Sequence, residues 1–413
     1  MGVSPTHRRH LLLHIAVIVA AIALAWFRIP GAAFLNWDDG EYVLNNPWIR
    51  SLAPENIRAW FSTFFVGNYQ PVTMVSYAID YAIGGAGAAV YHTSSIALHM
   101  INAVLVYLFF SKLQPQKTVA LFTALLFALS PVQAESVSWI AERKTLVSTL
   151  FCLLALLQYQ GYVRRPSVGR MVVVTLLSAL AMLSKATAVV LPLLLWATDI
   201  WLQMPSKGRK VWLPRLPLLA LSVLVGLVAI KAQQEAHFME GTPHSILQHI
   251  AAVPYAWCMY IVRFFAPVGL SAMYPWPTQW GMAQWAAIAG AAIVMGLWVR
   301  AWKKSEHVLH GGLLQRPQLL VVPVSAISLL FTAGTYLRNN DWQNDHTFYA
   351  ALLERFPESA VAQYSAGVMY LRDGNYEQAA VHLDKAVRLE PNNAKAWYNK
   401  GLLHMRTGQV MEA

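Results

Sequence analysis

Adjacent carboxylates beside a bilayer surface are the first feature of this chain that could carry chemistry. Asp38 and Asp39 lie in "FLNWDDGEYVLNNP", directly after the first long apolar run. A further acid, Glu135, stands in "PVQAESVSWIAERK", with Glu142, Arg143 and Lys144 close behind it. A cation, Lys185, sits in "LSKATA" between two short apolar runs. Ionisable groups held at a membrane are costly, and they mark functional positions. Each also has a plainer reading: an acidic loop beside the interfacial belt for the Asp pair, an ion pair with Arg143 for Glu135, and an interfacial snorkel for Lys185. Their convergence on one face is more informative than any one of them.

Carboxylates and cations at an outer membrane surface suit transfer of a sugar from a lipid phosphate. The departing phosphate needs positive charge, and the attacking hydroxyl needs a base. In an inverting displacement, base and leaving group stand on opposite faces of the sugar ring. Asp38 or Asp39 would serve as base, with Lys185 and Arg143 as phosphate partners. A phosphate leaving group requires no general acid.

The elements that must position these residues are membrane helices. Of 413 residues, 57% are hydrophobic and 12% charged, and the mean hydropathy is +0.42; soluble domains carry roughly 25% charged residues. The net charge of +11 is distributed in short clusters between apolar runs: "HRR" at 7–9, "RR" at 164–165, "KGRK" at 207–210 and "KK" at 303–304. That is the distribution of cytoplasmic loops, so no nucleic-acid partner is expected. Cys152 and Cys258 both fall in apolar runs, which leaves no legible disulfide framework or thiolate metal site.

The run from Leu11 to Phe27 is expected to be a retained anchor, because "FRIPG" after it lacks a small-residue cleavage site. Further candidate spans cover 92–111, 117–134, 144–163, 167–184, 186–203, 211–231, 249–266, 284–302 and 318–337, against the ~20 residues that cross a bilayer. Counting from a cytoplasmic N-terminus places residues 30–90, Glu135 and Lys185 outside. Lys112, Arg164 and Lys207 then fall inside. Three crossings between "KGRK" and "KK" would put those clusters on opposite sides. The segment 249–266, with Pro254 and Arg263 and followed by Pro267 and "SAMYPWPTQW", is therefore expected to be re-entrant or interfacial. Everything after about residue 338 is then outside.

From Asp341 the composition becomes that of a soluble domain and repeats with a period of 34. Tyr364 pairs with Tyr398, Gly367 with Gly401, Gly374 with Gly408, Ala379 with Ala413 and Pro357 with Pro391. This is the tetratricopeptide helix-turn-helix signature. The second copy stops at Ala413, before its second helix, so the expectation is either a fragment or a stack that docks on something. The fold class is all-α, with a transmembrane domain over 1–338 and a repeat domain over 341–413. A repeat stack offers a concave surface for an acceptor or partner protein, and Tyr364, Tyr370, Tyr376, Trp397 and Tyr398 supply aromatic area there, although the repeat signature itself buries aromatics.

Six stretches in order, "WDDGEYVLNNPWIRSL", "NYQPVTMVSYAIDYAIGG", "YHTSSIALHMINAVLVY", "PVQAESVSWIAERKTLVSTLF", "LSKATAVVLPLLL" and "WQNDHTFYAALLERFPESAVAQYSAGVMYLRDGNYEQA", carry a resemblance. Together they resemble the transmembrane and tetratricopeptide-repeat O-mannosyltransferase family and its bacterial relatives, of the GT-C glycosyltransferase class. The likeness runs from about residue 34 to the end. It implies a many-helix GT-C core with repeats on the lumenal side, and a polyprenyl- or dolichyl-phosphate sugar donor, a hexose such as mannose. The acceptor would be a protein Ser or Thr hydroxyl, and the membrane the cytoplasmic membrane of a bacterium or the endoplasmic reticulum of a eukaryote. Carried over by position, the first acidic motif lands on Asp38 and Asp39, the second on Glu135, the basic residue of a "GR" pair on Arg143, a tyrosine-histidine on Tyr91 and His92, and a later lysine on Lys185. Two positions depart from that pattern: Ala186 stands where an acid often follows the lysine, and Glu142 where glycine precedes the arginine.

Three other readings stand beside this one. A transporter would place its ionisable groups at mid-membrane and show internal symmetry, which the sequence does not. A non-catalytic scaffold would use the repeats to gather partners and would leave the Asp pair dispensable. A relative with a lipid or glycan acceptor would share the core without needing a peptide surface. His92 and His99, seven apart, nearly share a helix face, but no third ligand follows at metal spacing, so no cofactor is evident and a divalent cation is neither required nor ruled out by the sequence.

Overall fold

The computed structural model describes residues 5–113, 116–202, 213–236, 246–274, 281–304 and 318–408. The "KGRK" cluster at 207–210 lies outside them. Among the described residues the secondary structure is helical, apart from one isolated bridge between Phe65 and Asn68.

The chain is an integral membrane protein. Among the described residues, five stretches are long and apolar enough to cross a bilayer: Arg8–Gly31, Ala88–Leu113, Ile140–Arg164, Leu213–Glu235 and Val321–Trp342. The helices of the first half are α1 (Pro5–Trp26), α2 (Pro54–Ser62), α3 (Pro71–Gly84), α4 (Ala88–Leu113), α5 (Lys117–Leu129), α6 (Gln133–Ser138) and α7 (Arg143–Arg164). Next come α8 (Val168–Ser184), α9 (Leu191–Trp201), α10 (Leu216–Glu235), α11 (Ile246–Phe265), α12 (Met282–Lys304) and α13 (Gln318–Arg338). Over their described residues the ten apolar runs read from the sequence are largely helical. The expected span 117–134 divides at Ser130-Pro131, because a residue before proline is pushed out of the helical region; α5 ends at Leu129, and Glu135 belongs to the separate turn-and-a-half of α6.

Contacts between distant segments sort the helix ends into two groups. At one end the Arg164 guanidinium donates to the Lys112 carbonyl at 3.1 Å, and Arg215 pairs with Asp199 at 2.6 Å beside the Tyr159 hydroxyl. At the other, Thr335 donates to the Leu129 carbonyl at 2.8 Å, Thr73 to Ser184 at 2.9 Å, Arg28 to Asn340 at 3.0 Å and Gln233 to Gly67 at 2.6 Å. The first end gathers Lys112, Arg164 and Arg170, and the second holds the acidic loop. α10 finishes at the acidic end. The chain beyond α11 is at that end too: Arg263 lies over the Tyr274 ring, 3.5 Å from its centroid, and Tyr274 meets Phe356 at 6.1 Å.

α3 lies at the acidic end without crossing. It begins with Pro71 at a position where the missing N–H costs nothing, and it buries Thr73, Met74, Tyr77, Ala78 and Asp80. Ile79 and Ile83 stay exposed on its other face, as suits a helix resting between the bundle and lipid. Gly85 (φ +61°) makes the sharp turn into α4, a conformation that favours a residue without Cβ.

The crossing count is testable at exposed serines. With Cys152 and Cys258 replaced, a cysteine at Ser51 is expected to react with an impermeant thiol reagent from outside, and one at Ser167 only from the cytoplasmic side. Labelling of both from one side would break the assignment of ends.

After α13 a short turn, Asn339–Trp342, leads into α14 (Asp345–Arg355), α15 (Ala360–Arg372), α16 (Tyr376–Leu389) and α17 (Ala394–Arg406). Asn344 and Thr347 form a reciprocal capping box at the start of α14. At Gly367 an added Cβ would come within 2.8 Å of Leu383, so the close crossing of α15 and α16 requires glycine there. The split expected at 338/341 falls in this turn, yet packing is continuous across it. Trp342, Phe348, Tyr349, Leu352, Ala362, Ala366 and Met369 share one apolar core with Trp26, Tyr42, Tyr77 and Ile140.

Candidate functional site

Asp38 and Asp39 are adjacent in sequence and opposite in circumstance. Asp39 is 1% exposed. One carboxylate oxygen accepts the Leu35 N–H at 2.9 Å and the other the Ala141 N–H at 2.8 Å. It therefore clamps the loop after α1 to the turn Ile140–Glu142 that starts α7. Burial pushes its pKa up to about 7, against the two N–H groups and with Asp38 and Asp345 adding to the rise. Asp38 is half-buried. Burial raises its pKa as well, opposed by Lys144 and reinforced by Glu142 and Glu41.

Across from Asp38, the turn before α7 and the turn after α8 build a charge cluster. Glu142 sits between two ammonium groups, 3.0 Å from Lys144 and 2.8 Å from Lys185. The Thr145 hydroxyl donates to Glu142 at 2.6 Å and accepts from Lys185 at 2.8 Å. Lys144 lies over the rings of Tyr42 (5.3 Å) and Trp139 (5.9 Å), where the ring faces hold a cation. Glu135 borders the same cluster: burial lifts its pKa to about 7, Glu142 adds to the rise, and Lys185, Arg338 and Lys144 oppose it. Asp38, Glu135 and Lys185 thus meet in one field of charge, as the loop count anticipates.

Two expectations change. Glu135 does not pair with Arg143, whose partner is Asp80 on α3. Nor does Arg143 face a surface where a phosphate could reach it. Its side chain is 1% exposed, with donors spent on Asp80, the Tyr91 carbonyl and Ser95. Its guanidinium lies over Tyr77 at 5.1 Å and Tyr91 at 5.4 Å. A desolvated guanidinium among aromatic faces holds the fold together; Ser94 completes the arrangement by donating to Asp80 at 2.5 Å.

Tyr91 is buried, donates to Gly85 at 3.1 Å and packs on Phe34 and Tyr77. His92 is buried beside the backbone of Ala32 and Ala33. Both therefore shape the underside of the acidic loop. His99 donates from Nε2 to the Ala128 carbonyl at 2.9 Å and meets the Trp26 ring. Among the described residues, no three His, Cys, Asp or Glu side chains gather at metal-ligand spacing.

Sequence reading missed Asp80, Asp39's clamping role and Lys144. The signal for Asp80 was an acid in an otherwise apolar helix, which demands a cationic partner. For Lys144 it was the i, i+2 placement after Glu142 across a helix start, too close to a stronger-looking arginine to stand out.

The repeats join the site at its rim. The Ala33 N–H donates to the Gln343 carbonyl at 2.9 Å, Asn36 N–H to Asp345 at 2.6 Å, and the Tyr349 hydroxyl to the Asn36 carbonyl at 2.7 Å. Trp37 packs on Phe348 and Tyr349, and Trp139 stacks on Trp342. Of the aromatics expected on the concave surface, Tyr364 packs between the repeat helices and Tyr370 stacks on His382. Tyr376, Trp397 and Tyr398 are exposed.

Comparison with known proteins agrees with the resemblance. Residues 367–408 match the family described as "TPR repeat". Protein O-mannosyl-transferase Tmtc1 of Drosophila melanogaster is 30% identical over 134 residues, 32% of this chain and 16% of the relative. The mouse protein O-mannosyl-transferase TMTC1 is 30% identical over 156 residues, 35% of the chain and 16% of the relative. Protein O-mannosyl-transferase Tmtc2 of Drosophila melanogaster is 24% identical over a longer stretch, 265 residues, covering 58% of the chain and 27% of the relative. The aligned region thus spans well under a third of these relatives' own length. No solved structure matches the chain.

Proposed function

We propose that this protein is a membrane glycosyltransferase of GT-C type that moves a hexose, mannose in the first instance, from a polyprenyl-phosphate donor to Ser or Thr hydroxyls of proteins outside the cytoplasm. The observation that carries this reading is a half-buried carboxylate, Asp38, in the field of Lys144, which shares Glu142 with Lys185. Asp38 takes the proton from the attacking hydroxyl. Lys185 stabilises the charge that develops on the departing phosphate, which is where fixed charge lowers a barrier most. Glu135, held near neutrality by burial, tunes that cluster rather than attacking. Asp39 holds Asp38 in place. The names of the relatives support a protein acceptor and mannose.

The test is transfer by purified protein in detergent, with polyprenyl-phosphate mannose or glucose and a panel of Ser/Thr peptides. Transfer to neither peptide nor protein, with the repeats still binding partners, would make the chain a scaffold. The repeats are assigned to acceptor binding, and the cut that tests this falls after Asp373. A cut after Arg355 would strip Ala362, Ala366 and Met369 from the shared core. Removing residues 374–413 is expected to raise the apparent KM for a protein acceptor about tenfold and to leave transfer to a short peptide near normal. Equal loss of both would assign the tail to folding.

A further inference from the structure

The Glu142 carboxylate is placed as an anion, and its surroundings are those of a phosphate site. Two ammonium groups reach it at 3.0 and 2.8 Å, and a hydroxyl donates to it at 2.6 Å. It stands at the first turn of α7, whose free backbone N–H groups add partial positive charge. Glu142 does not cap that helix through its side chain, so the carboxylate is directed to the lysines instead. Of these side chains, Lys144 and Glu142 are 10% and 12% exposed, and Lys185, the outermost, is 28% exposed. The cluster is therefore a cationic seat filled by one acidic side chain, with Lys185 at its exposed edge and Lys144 and Glu142 within the field of Asp38.

We propose that Glu142 is a built-in plug: its carboxylate occupies the seat formed by Lys144, Lys185 and Thr145 that receives the phosphate of the lipid-linked donor, and it is displaced when donor binds. This deepens the function proposed above and rests on it for the identity of the ligand, though not for the existence of the anion seat. A plug of this kind keeps two buried-edge cations paired while the site is empty, avoiding the cost of unpaired desolvated charge. It also sets a threshold, since an incoming anion has to outcompete a tethered carboxylate. A phosphate ester presents two or three oxygens to the same three donors that the Glu142 carboxylate engages, so it can replace that carboxylate contact for contact.

The plug and the ordinary alternative, that Glu142 simply orients the lysines for donor, predict changes of opposite sign. With full-length protein in detergent and farnesyl phosphate as the probe, Glu142→Gln is expected to bind about tenfold or more tightly than wild type, because a like charge leaves the seat. Lys144→Met and Lys185→Met are each expected to bind about tenfold or more weakly. Farnesol serves as the uncharged control and should not respond to any of the three. Inorganic phosphate identifies the source: tightening confined to farnesyl phosphate assigns the seat to lipid-linked phosphate, and equal tightening of inorganic phosphate assigns it to phosphate as such. Weaker or unchanged binding of both by Glu142→Gln, with the variant folded as judged by its melting temperature, overturns the plug. Because these are binding measurements without turnover, they stand apart from the transfer assay: the plug can fail while transfer is observed, and the seat can respond in a protein that transfers nothing.

Discussion

Asp38→Asn is expected to lower sugar transfer about 10²-fold or more, the loss of a positioned base, with the melting temperature unchanged. Its neighbour should behave in the opposite way. Asp39→Asn puts an amide NH₂ against one of two backbone N–H donors, Leu35 or Ala141. A buried donor left without an acceptor costs about 1–3 kcal/mol, so this variant should be less stable and lose activity only as far as the loop carrying Asp38 shifts. The pH dependence follows from the same assignment. A base acts in its ionised form, and burial raises the Asp38 pKa, so activity should fall on acidification with a midpoint above the ordinary carboxylate range. Wild-type rates in both variants would place the chemistry elsewhere. Full stability with lost activity in Asp39→Asn alone would exchange the two roles.

The second large effect is on folding. Removing either partner of the Arg143–Asp80 pair leaves a buried charge uncompensated, and such losses cost about 3–5 kcal/mol. Arg143→Met and Asp80→Asn should each lower the melting temperature sharply, while the double variant Asp80→Leu/Arg143→Met should recover much of the loss, since a hydrophobic replacement of both often costs little. Lys185→Met provides the contrast: it should weaken donor binding with little change in stability. Were Arg143 instead a phosphate contact, Arg143→Lys would raise the donor KM with no change in melting temperature.

These two predictions also mark what could be read from sequence. Apolar runs of the right length forecast helices because hydrogen bonds within a segment are the only way to satisfy backbone in lipid. The repeat was legible from its 34-residue period, since close-packed helices need Gly367 and Ala379 at fixed places. Charge parity along those runs brought Asp38, Glu135 and Lys185 to one end. The residues that were misread are those whose roles depend on partners far away in the chain. Arg143 finds Asp80 across 63 positions, and Asp39 finds Ala141 across 102; nothing in local spacing says that Asp39 rather than Asp38 turns inward. Arg143 and Lys144 are successive helical residues, so their side chains diverge by roughly 100°. One enters the core and the other reaches the rim.

The joint between the acidic loop and the repeats has a consequence for how acceptors are chosen. Ala33 to Gln343, Asn36 to Asp345 and Trp139 on Trp342 tie the bundle to α14 at three points. A tail on a flexible tether would raise the local concentration of any docked chain and sample its hydroxyls indiscriminately. Under the proposed function, a tail fixed at this angle would work as a ruler. An extended polypeptide advances about 3.3–3.6 Å per residue, so a segment held on Trp397 and Tyr398 presents to Asp38 only hydroxyls at one set distance along its own sequence. Under the proposed function, modified sites would then be selected by their spacing from a docked segment, and lengthening the stretch between the two by a few residues would move the sugar to a different Ser or Thr.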